Sequence, residues 1–129
     1  MSVPAGERYA FNRTRQVYLA TDLLLADTHW SRLRGLMATE VEKFPPGRGL
    51  WIVPCRGIHT FGMRFAIDVV YLNVEQQVVY VQENLQPWRM APVRLSAVSV
   101  VELPSGTIAQ TRTGVGDVID VGLNNRANA

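Results

Sequence analysis

Short apolar runs separated by turn-forming residues dominate this sequence. Runs of this kind are typical of β-strands, and they predict strands over residues 17–20, 23–26, 50–53, 58–60, 66–72, 78–81, 97–103 and 115–121. Thr21 and Asp22 separate the first two runs and suit a tight turn, so we expect a hairpin there. A short helix-like tract is the alternative for the same segment.

The run over residues 66–72 contains a single polar residue, Asp68. Successive side chains of a strand point to opposite faces, so both faces of this one are apolar apart from Asp68. We therefore predict a central strand that is buried on both sides. The polar residues 73–77 then connect it to residues 78–81 as a hairpin.

One segment has the period of a helix instead. Trp30, Leu33 and Met37 lie on one helical face, and Asp27 or Thr28 can cap the N-terminus. Gly35 lowers helix propensity by about 1 kcal/mol relative to alanine, so we expect close backbone packing around it. The sequence predicts one short helix near residues 28–38, followed by a loop rich in proline and glycine over residues 43–49.

Seven or eight short strands with one short helix favour a mainly β fold. A flat sheet of that size would leave its edges open, so we predict a compact β-sandwich or barrel. The length of 129 residues is usual for one domain, which we place at residues 15–123. Residues 1–14 and 124–129 are polar and without a period, and we expect both ends to be flexible.

Composition and charge argue against several classes of protein. The net charge is only +2 and the basic residues are scattered singly, so we do not expect a nucleic-acid partner. A single cysteine rules out an internal disulfide. No apolar run is long enough to span a membrane, and the first residues lack a signal-peptide pattern. We therefore expect a soluble, cytoplasmic protein. We also expect a bacterial source.

Two carboxylates interrupt predicted strands, and a buried carboxylate must be paired or become neutral. Asp68 is either part of a structural pair or a ligand-facing group. Its candidate structural partners are Arg34, Arg64, Arg89 and the hydroxyl of Thr60. Glu102 raises the same question. Asp117 lies just after Gly114 and Gly116, and we expect it to be a turn or cap residue.

His59 is the leading candidate for chemistry because it lies in a strand context beside Thr60 and near Cys55. Structural zinc needs four ligands, so a lone Cys-His pair predicts neither a metal site nor a cofactor. Cys55 and His59 as nucleophile and base remain an alternative. The simpler interpretation of Cys55 is a small buried apolar residue.

Several motifs, in this order and spacing, resemble a known family. They are RGLM at 34–37, GLWIVPCRGIHTFGMRFAIDVVYLN at 49–73, LQPWR at 85–89, VVELPSGTI at 100–108 and GD at 116–117. Over residues 16–122 the chain is similar to the domain-of-unknown-function 192 family, also called uncharacterised protein family 0127. The resemblance implies a small, mainly β domain with a short helix and no established reaction. It marks as recurrent positions Arg34, Gly35, Met37, His59, Thr60, Met63, Asp68, Glu102, Gly106 and Asp117.

Together these features favour an accessory module that binds a small molecule or a protein without catalysis. Its predicted binding cluster consists of Arg34, His59, Thr60, Asp68 and Glu102. The alternative is a small hydrolase or isomerase that uses His59 as acid or base with Asp68 orienting it. The two hypotheses differ in whether these side chains meet in one cavity.

Overall fold

The computed structural model describes residues 7–124, which form eight strands and two short helices. In chain order these are β1 (Arg8–Asn12), β2 (Val17–Ala20), β3 (Asp22–Ala26), α1 (His29–Arg34), β4 (Arg48–Ile52), β5 (Ile67–Leu72), β6 (Val78–Leu85), β7 (Ser99–Pro104), α2 (Thr107–Thr111) and β8 (Ile119–Leu123). A 3-10 turn at Val41–Lys43 precedes β4. The strands form a three-stranded sheet in the order β2-β1-β8 and a five-stranded sheet in the order β3-β4-β7-β5-β6.

The mainly β prediction is confirmed, and of its two forms the sandwich is the one observed. Two separate sheets are present over residues 7–124, and no closed barrel is formed there. All six residues of β5 are buried, and β5 lies between β7 and β6 in the larger sheet. The predictions of a central strand and of a hairpin into β6 are therefore confirmed.

Two apolar cores lie on the two faces of the larger sheet. One core fills the space between this sheet and the smaller one, and α2 closes it with Ile108. The other core lies under α1 and the loops around it, where Leu36, Phe44 and Met63 cover the sheet. Successive side chains of β5 and β7 point alternately into one core and the other. For this reason neither strand has a polar face.

The predicted hairpin around Thr21 is wrong. β2 pairs with β1 in the smaller sheet, whereas β3 runs parallel to β4 in the larger one. Ala20 and Leu23 both contribute to the core between the sheets, so the chain turns from one layer into the other at this point. The helix-like alternative is also wrong, because both segments are strands.

The predicted helix is present but shorter than residues 28–38. Thr28 caps it as expected, in a capping box with Ser31. Gly35 ends the helix at a φ of +46°, a left-handed value that favours glycine. Its ideal Cβ position has no contact closer than 3.9 Å, so backbone conformation and not the expected close packing requires the glycine. Trp30 is exposed rather than packed against the core.

Two further predictions need correction, and one element was not predicted. Residues 58–60 are not a strand, because only an isolated bridge joins His59 to Met90. The expected flexible segment 1–14 overlaps β1, which is the central strand of the smaller sheet. Helix α2, which directly follows β7, is the element that was not predicted. Residues 1–6 and 125–129 of the expected flexible ends lie outside the described residues.

None of the helices within residues 7–124 has the length and apolar character needed to cross a membrane.

Gly49 allows close packing between the two sheets. A substitution at this position tests its role. An added Cβ would lie 3.1 Å from atoms of Ala20, Leu23 and Leu103, three core residues on three other strands. We expect Gly49→Ala to lower the free energy of unfolding by about 1–3 kcal/mol through overpacking, measured by urea denaturation. Gly114→Ala is the matched control, because a Cβ there meets nothing within 4 Å. Equal stability of the two variants would contradict this role of Gly49.

Candidate functional site

A small pocket of about 70 Å³ opens between the end of α1 and the larger sheet. Residues 32–37 form one wall, and the segment around Cys55 and His59 forms another. Glu102 on β7 lines the pocket from the sheet. The volume admits a few waters or the head group of a small ligand.

Glu102 faces this pocket because of the strand register. It pairs with Leu50 on β4 and with Val69 on β5, and both neighbours belong to the core under α1. Paired residues of an antiparallel ladder point to the same face, so Glu102 points to that face as well. Its side chain is almost completely buried, and Oε1 has no hydrogen-bond partner within the described chain.

Burial changes the acidity of Glu102. Desolvation of the charged form raises the pKa of this carboxyl from its usual 4.5 to about 8. At neutral pH the group is therefore a neutral acid, with one O–H donor and one carbonyl acceptor. Such a group can form a paired hydrogen bond with an amide or a second carboxyl group.

His59 lies at the wall of the pocket with its ring half-buried. The backbone N–H of Phe61 donates to His59 Nδ1 at 3.3 Å. The ring also stacks on Phe61 with 4.8 Å between centroids, and Phe61 in turn stacks on Trp88 at 6.1 Å. The hydrogen bond and the ring stacking with Phe61 thus hold the His59 ring in one orientation.

Cys55 lines the same pocket, but its thiol is not set up as a nucleophile. Sγ donates to the carbonyl oxygen of Gly57 at 3.0 Å. Burial is the main cause that raises the pKa of the Cys55 thiol, with a smaller contribution from Glu102. The reactive form of cysteine is the thiolate, so both effects lower its reactivity.

Two arginines supply positive charge at the pocket. Arg34 is exposed at the end of α1, and Arg32 is half-buried one turn from its start. Arg32 Nη2 lies 3.1 Å from His29 Nδ1. Both arginines line the pocket, and Glu102 is its sole acidic lining residue.

Asp68 is on the opposite face of the sheet. It pairs with Leu103, whose side chain lies in the core between the sheets, so Asp68 points away from Glu102. Oδ1 accepts from Asn84 N at 2.9 Å, and Oδ2 accepts from Gly106 N at 3.1 Å and Ile108 N at 2.8 Å. Asp68 therefore caps the start of α2, and backbone amides take the place of the arginine and threonine partners that we expected.

Thr60 is also a structural residue. Its hydroxyl donates to the carbonyl oxygen of Gln86 at 2.7 Å and accepts from Arg89 N at 2.9 Å. Its backbone N–H donates to Arg89 O, and its carbonyl accepts from Trp88 N. These bonds fasten the loop after β6 to the segment that carries His59.

Asp117 is a turn residue, as predicted. Oδ2 accepts from Gly114 N at 3.0 Å and from the side-chain amide of Asn12 at 2.9 Å. Arg15 Nε also donates to this oxygen at 3.2 Å. The group belongs to a satisfied network at the end of the smaller sheet.

The structure therefore brings together three of the five predicted site residues, Arg34, His59 and Glu102, and separates Asp68 and Thr60 from them. Arg32 also lines the pocket and was not predicted as a site residue. Its place in the pattern RLRG, two residues before Arg34, was the available indication. Within residues 7–124 no group of three or more His, Cys, Asp and Glu side chains could hold a metal ion.

Comparison with known proteins places the chain among uncharacterised relatives. The family model DUF192, described as "Uncharacterized ACR", matches residues 10–121. A UPF0127 protein of Thermococcus sibiricus is 31% identical over 114 residues, which cover 84% of this chain and 71% of the relative. A UPF0127 protein of Pyrococcus furiosus is 30% identical over 114 residues, covering 84% of this chain and 94% of the relative. These curated relatives are archaeal, so the expected bacterial source is not supported.

Two solved structures share the fold. A protein of unknown function from Novosphingobium aromaticivorans matches with a TM-score of 0.73 at 17% identity, covering 88% of this chain and 83% of that one. A putative transcription regulator from Sinorhizobium meliloti matches with a TM-score of 0.77 at 20% identity, covering 94% and 97%. At these identities the likeness shows the fold alone.

The raised pKa of Glu102 predicts how stability changes with pH. The folded chain holds this proton more tightly than the unfolded chain, so unfolding releases a proton between about pH 4.5 and 8. The contribution of Glu102 to stability is full below pH 4.5 and is lost as the pH rises towards 8. As the pH rises over this range, we expect the Glu102→Gln variant to become more stable relative to the wild type. The difference in the free energy of unfolding should reach at most about 5 kcal/mol.

Urea denaturation at several pH values measures this difference. Glu83→Gln is the control, because Glu83 is exposed on β6 and its variant should keep the wild-type pH slope. A Glu102→Gln variant with an unchanged slope would show that Glu102 is ionised in the folded chain.

The capping of α2 by the Asp68 side chain gives a second prediction. Asp68→Asn replaces one acceptor oxygen by an N–H₂ group that faces backbone donors, so at least one buried amide loses its partner. We expect the free energy of unfolding to fall by about 2–4 kcal/mol. Asp27→Asn, a change at an exposed aspartate, should alter it by less than about 0.5 kcal/mol. Similar stability of both variants would refute the capping role.

Proposed function

This chain belongs to the DUF192 family, whose members are described as uncharacterised, and we propose that it is a binding module for a small organic ligand. The ligand enters the pocket between α1 and the larger sheet with its polar end towards Glu102. Arg34 and His59 contact it nearer the opening. No catalytic step is part of the proposal.

One observation carries this proposal, namely the buried Glu102 oxygen without a hydrogen-bond partner. Most buried polar groups in folded proteins are paired, and an unpaired one costs about 1–3 kcal/mol. A ligand that pairs with Oε1 recovers this loss on binding. The position of the oxygen at a pocket, and not inside a closed core, is what makes a ligand the natural partner.

The charges around the pocket indicate the class of ligand. Glu102 is neutral at pH 7, so Arg32 and Arg34 are the charged groups that line the pocket. A neutral acid pairs well with a carboxamide or a carboxyl group, and the arginines favour a ligand with negative charge or carbonyl oxygens. We therefore propose a small carboxylate or carboxamide as the ligand.

Two features support binding over catalysis. Asp68 lies on the far face of the sheet, bound to backbone amides, so it does not orient His59. The hydrogen bond of Cys55 goes to Gly57 instead of His59, and burial keeps the thiol protonated. Neither acid-base pair that the sequence suggested is formed around His59.

A thermal-shift screen of small carboxylates and carboxamides tests the proposal. A ligand at a hundred times its dissociation constant stabilises the folded chain by about 2.7 kcal/mol, which is a shift of several degrees in a chain of this size. We expect His59→Ala to weaken the shift and Glu102→Leu to abolish it. Glu102→Leu should itself be more stable than the wild type without ligand, because it removes a desolvated polar group.

Glu83→Gln is again the control and should keep the ligand-dependent shift. A compound that stabilises Glu102→Leu as strongly as the wild type binds elsewhere and would overturn the assignment of the pocket. The greater stability of Glu102→Leu without ligand ensures that loss of binding is not mistaken for loss of folding.

A further inference from the structure

A second concave surface, the β3 groove, lies beside the outer strand of the larger sheet. It adjoins the Glu102 pocket, with which it shares Arg34, Gly35 and Leu36. It has a volume of about 740 Å³. Its apolar lining includes Leu24 and Leu25 on β3, Trp30 on α1, and Phe44 before β4. The groove is large enough for several side chains of a bound segment.

The backbone of β3 is open along this groove. Asp22 N donates to Gly47 O, and Val53 N donates to Ala26 O, so the backbone groups of alternate residues face β4. The amide and carbonyl groups of Leu23 and Leu25 therefore face the other way. Within residues 7–124 no strand pairs with this outer edge.

Strand β6 forms the other edge of the same sheet, and unlike β3 it is protected against pairing with a further strand. The ladder of β6 with β5 contains two irregularities, and Asn84 near its end has a φ of +52°. Val78, at its start, exchanges hydrogen bonds with residues 116–117. β3 has a regular register and the sequence DLLLA, without proline, lysine or a bulge. An exposed regular edge of this kind is a template for a further strand.

Large apolar side chains near the edge are exposed to solvent. Leu24 is 41% exposed and Trp30 is 71% exposed, although both line the groove. Helix α1 has no buried residue, so its apolar side chains find no cover within the described chain. A partner that covers the groove would bury this apolar surface.

The charged residues that line the groove indicate the charge of the partner. Its charged lining consists of Arg34, Lys43 and Arg48, and it includes no carboxylate. Arg48 pairs with Asp22 at 2.6 Å, whereas within residues 7–124 no carboxylate pairs with Arg34 or Lys43. A second copy of the chain related by a two-fold axis would bring these like charges together. An acidic partner is favoured instead.

We propose that the β3 groove binds an extended acidic peptide segment of a partner protein. The segment pairs with the outer edge of β3 through Leu23 and Leu25, as an additional strand of the larger sheet. Its apolar side chains contact Leu24 and Trp30, and its carboxylates lie near Lys43 and Arg34. The protein-binding and ligand-binding surfaces are then adjacent, and Arg34, Gly35 and Leu36 line both.

Three short peptides test this proposal against the full chain. The first alternates glutamate and valine, the second alternates lysine and valine, and the third is the glutamate peptide with alternate backbone nitrogens methylated. We expect the first to bind saturably in NMR titrations of the isotope-labelled chain, with the largest amide shifts at Leu23 and Leu25. The lysine peptide and the methylated peptide should each bind at least about tenfold more weakly.

Matched charge reversals locate the binding surface. Lys43→Glu should weaken binding of the glutamate peptide about tenfold or more. Arg112→Glu is the control, because Arg112 ends α2 on the opposite face of the sheet and its variant should bind as the wild type does. Both positions are exposed, so neither change threatens folding.

Three results would each overturn the proposal. They are equal binding of the methylated peptide, amide shifts centred away from β3, and a dimer in sedimentation experiments whose β3 amides are protected from exchange. The last result would assign the edge to a second copy of the chain. None of these variants alters Glu102 or His59, so failure here leaves the ligand-binding proposal untouched.

Discussion

Both faces of the larger sheet are covered, so polar side chains on its central strands lose their contact with bulk water and need a partner within the protein or in a bound ligand. Asp68 on β5 and Glu102 on β7 are close in the ladder but point to opposite faces, because Asp68 pairs with Leu103 and Glu102 pairs with Val69. Asp68 meets three backbone amides and fixes the start of α2. Glu102 meets a pocket, and its Oε1 lacks a partner within the described chain.

The two covers of the sheet explain this difference. On one face the smaller sheet and α2 supply regular backbone with amides at defined positions, and the buried side chains of Asn12 and Asp117 there are hydrogen-bonded. Nε1 of Trp51, which packs against the same core, is the exception within residues 7–124 and has no partner. On the other face α1 contributes no buried residue, and loop residues such as Leu36, Phe44 and Met63 form the cover. Loops pack less regularly than a sheet, and both concave surfaces described above lie on this face.

The sequence predicted the features that depend on local patterns. β5 was predictable because six residues with one polar side chain define a strand buried on both faces, and Thr28 because a capping oxygen precedes the helical period. The sheet assignment of β3 was not, because Thr21 and Asp22 suit a tight hairpin as well as a crossing between layers. α2 has five residues, too few for a period, and its cap comes from Asp68, 38 residues before the N-cap Gly106.

The candidate site was predictable from the sequence only in part. Arg34, His59 and Glu102 could be named from the sequence, but strand pairing decides which carboxylate faces His59, and a single sequence does not contain the register. Asp68 and Glu102 interrupt their strands in the same way, and both were natural candidates. The expectation that an arginine would neutralise Asp68 failed because the nearby turn offers backbone amides, which satisfy a carboxylate without a second buried charge.

The electrostatic properties of the pocket depend on two features, the burial of Glu102 and the positions of the arginines at α1. Desolvation alone sets the direction of the Glu102 pKa shift, with no opposing effect from the arginines of the same pocket. Arg34 is exposed, and its field is screened by water before it reaches the buried carboxyl. The pocket thus combines a neutral hydrogen-bonding group on the sheet side with positive charge at α1. A ligand with one uncharged polar end and one anionic or carbonyl end satisfies both parts, whereas a simple cation would meet repulsion from the arginines without a carboxylate to offset it.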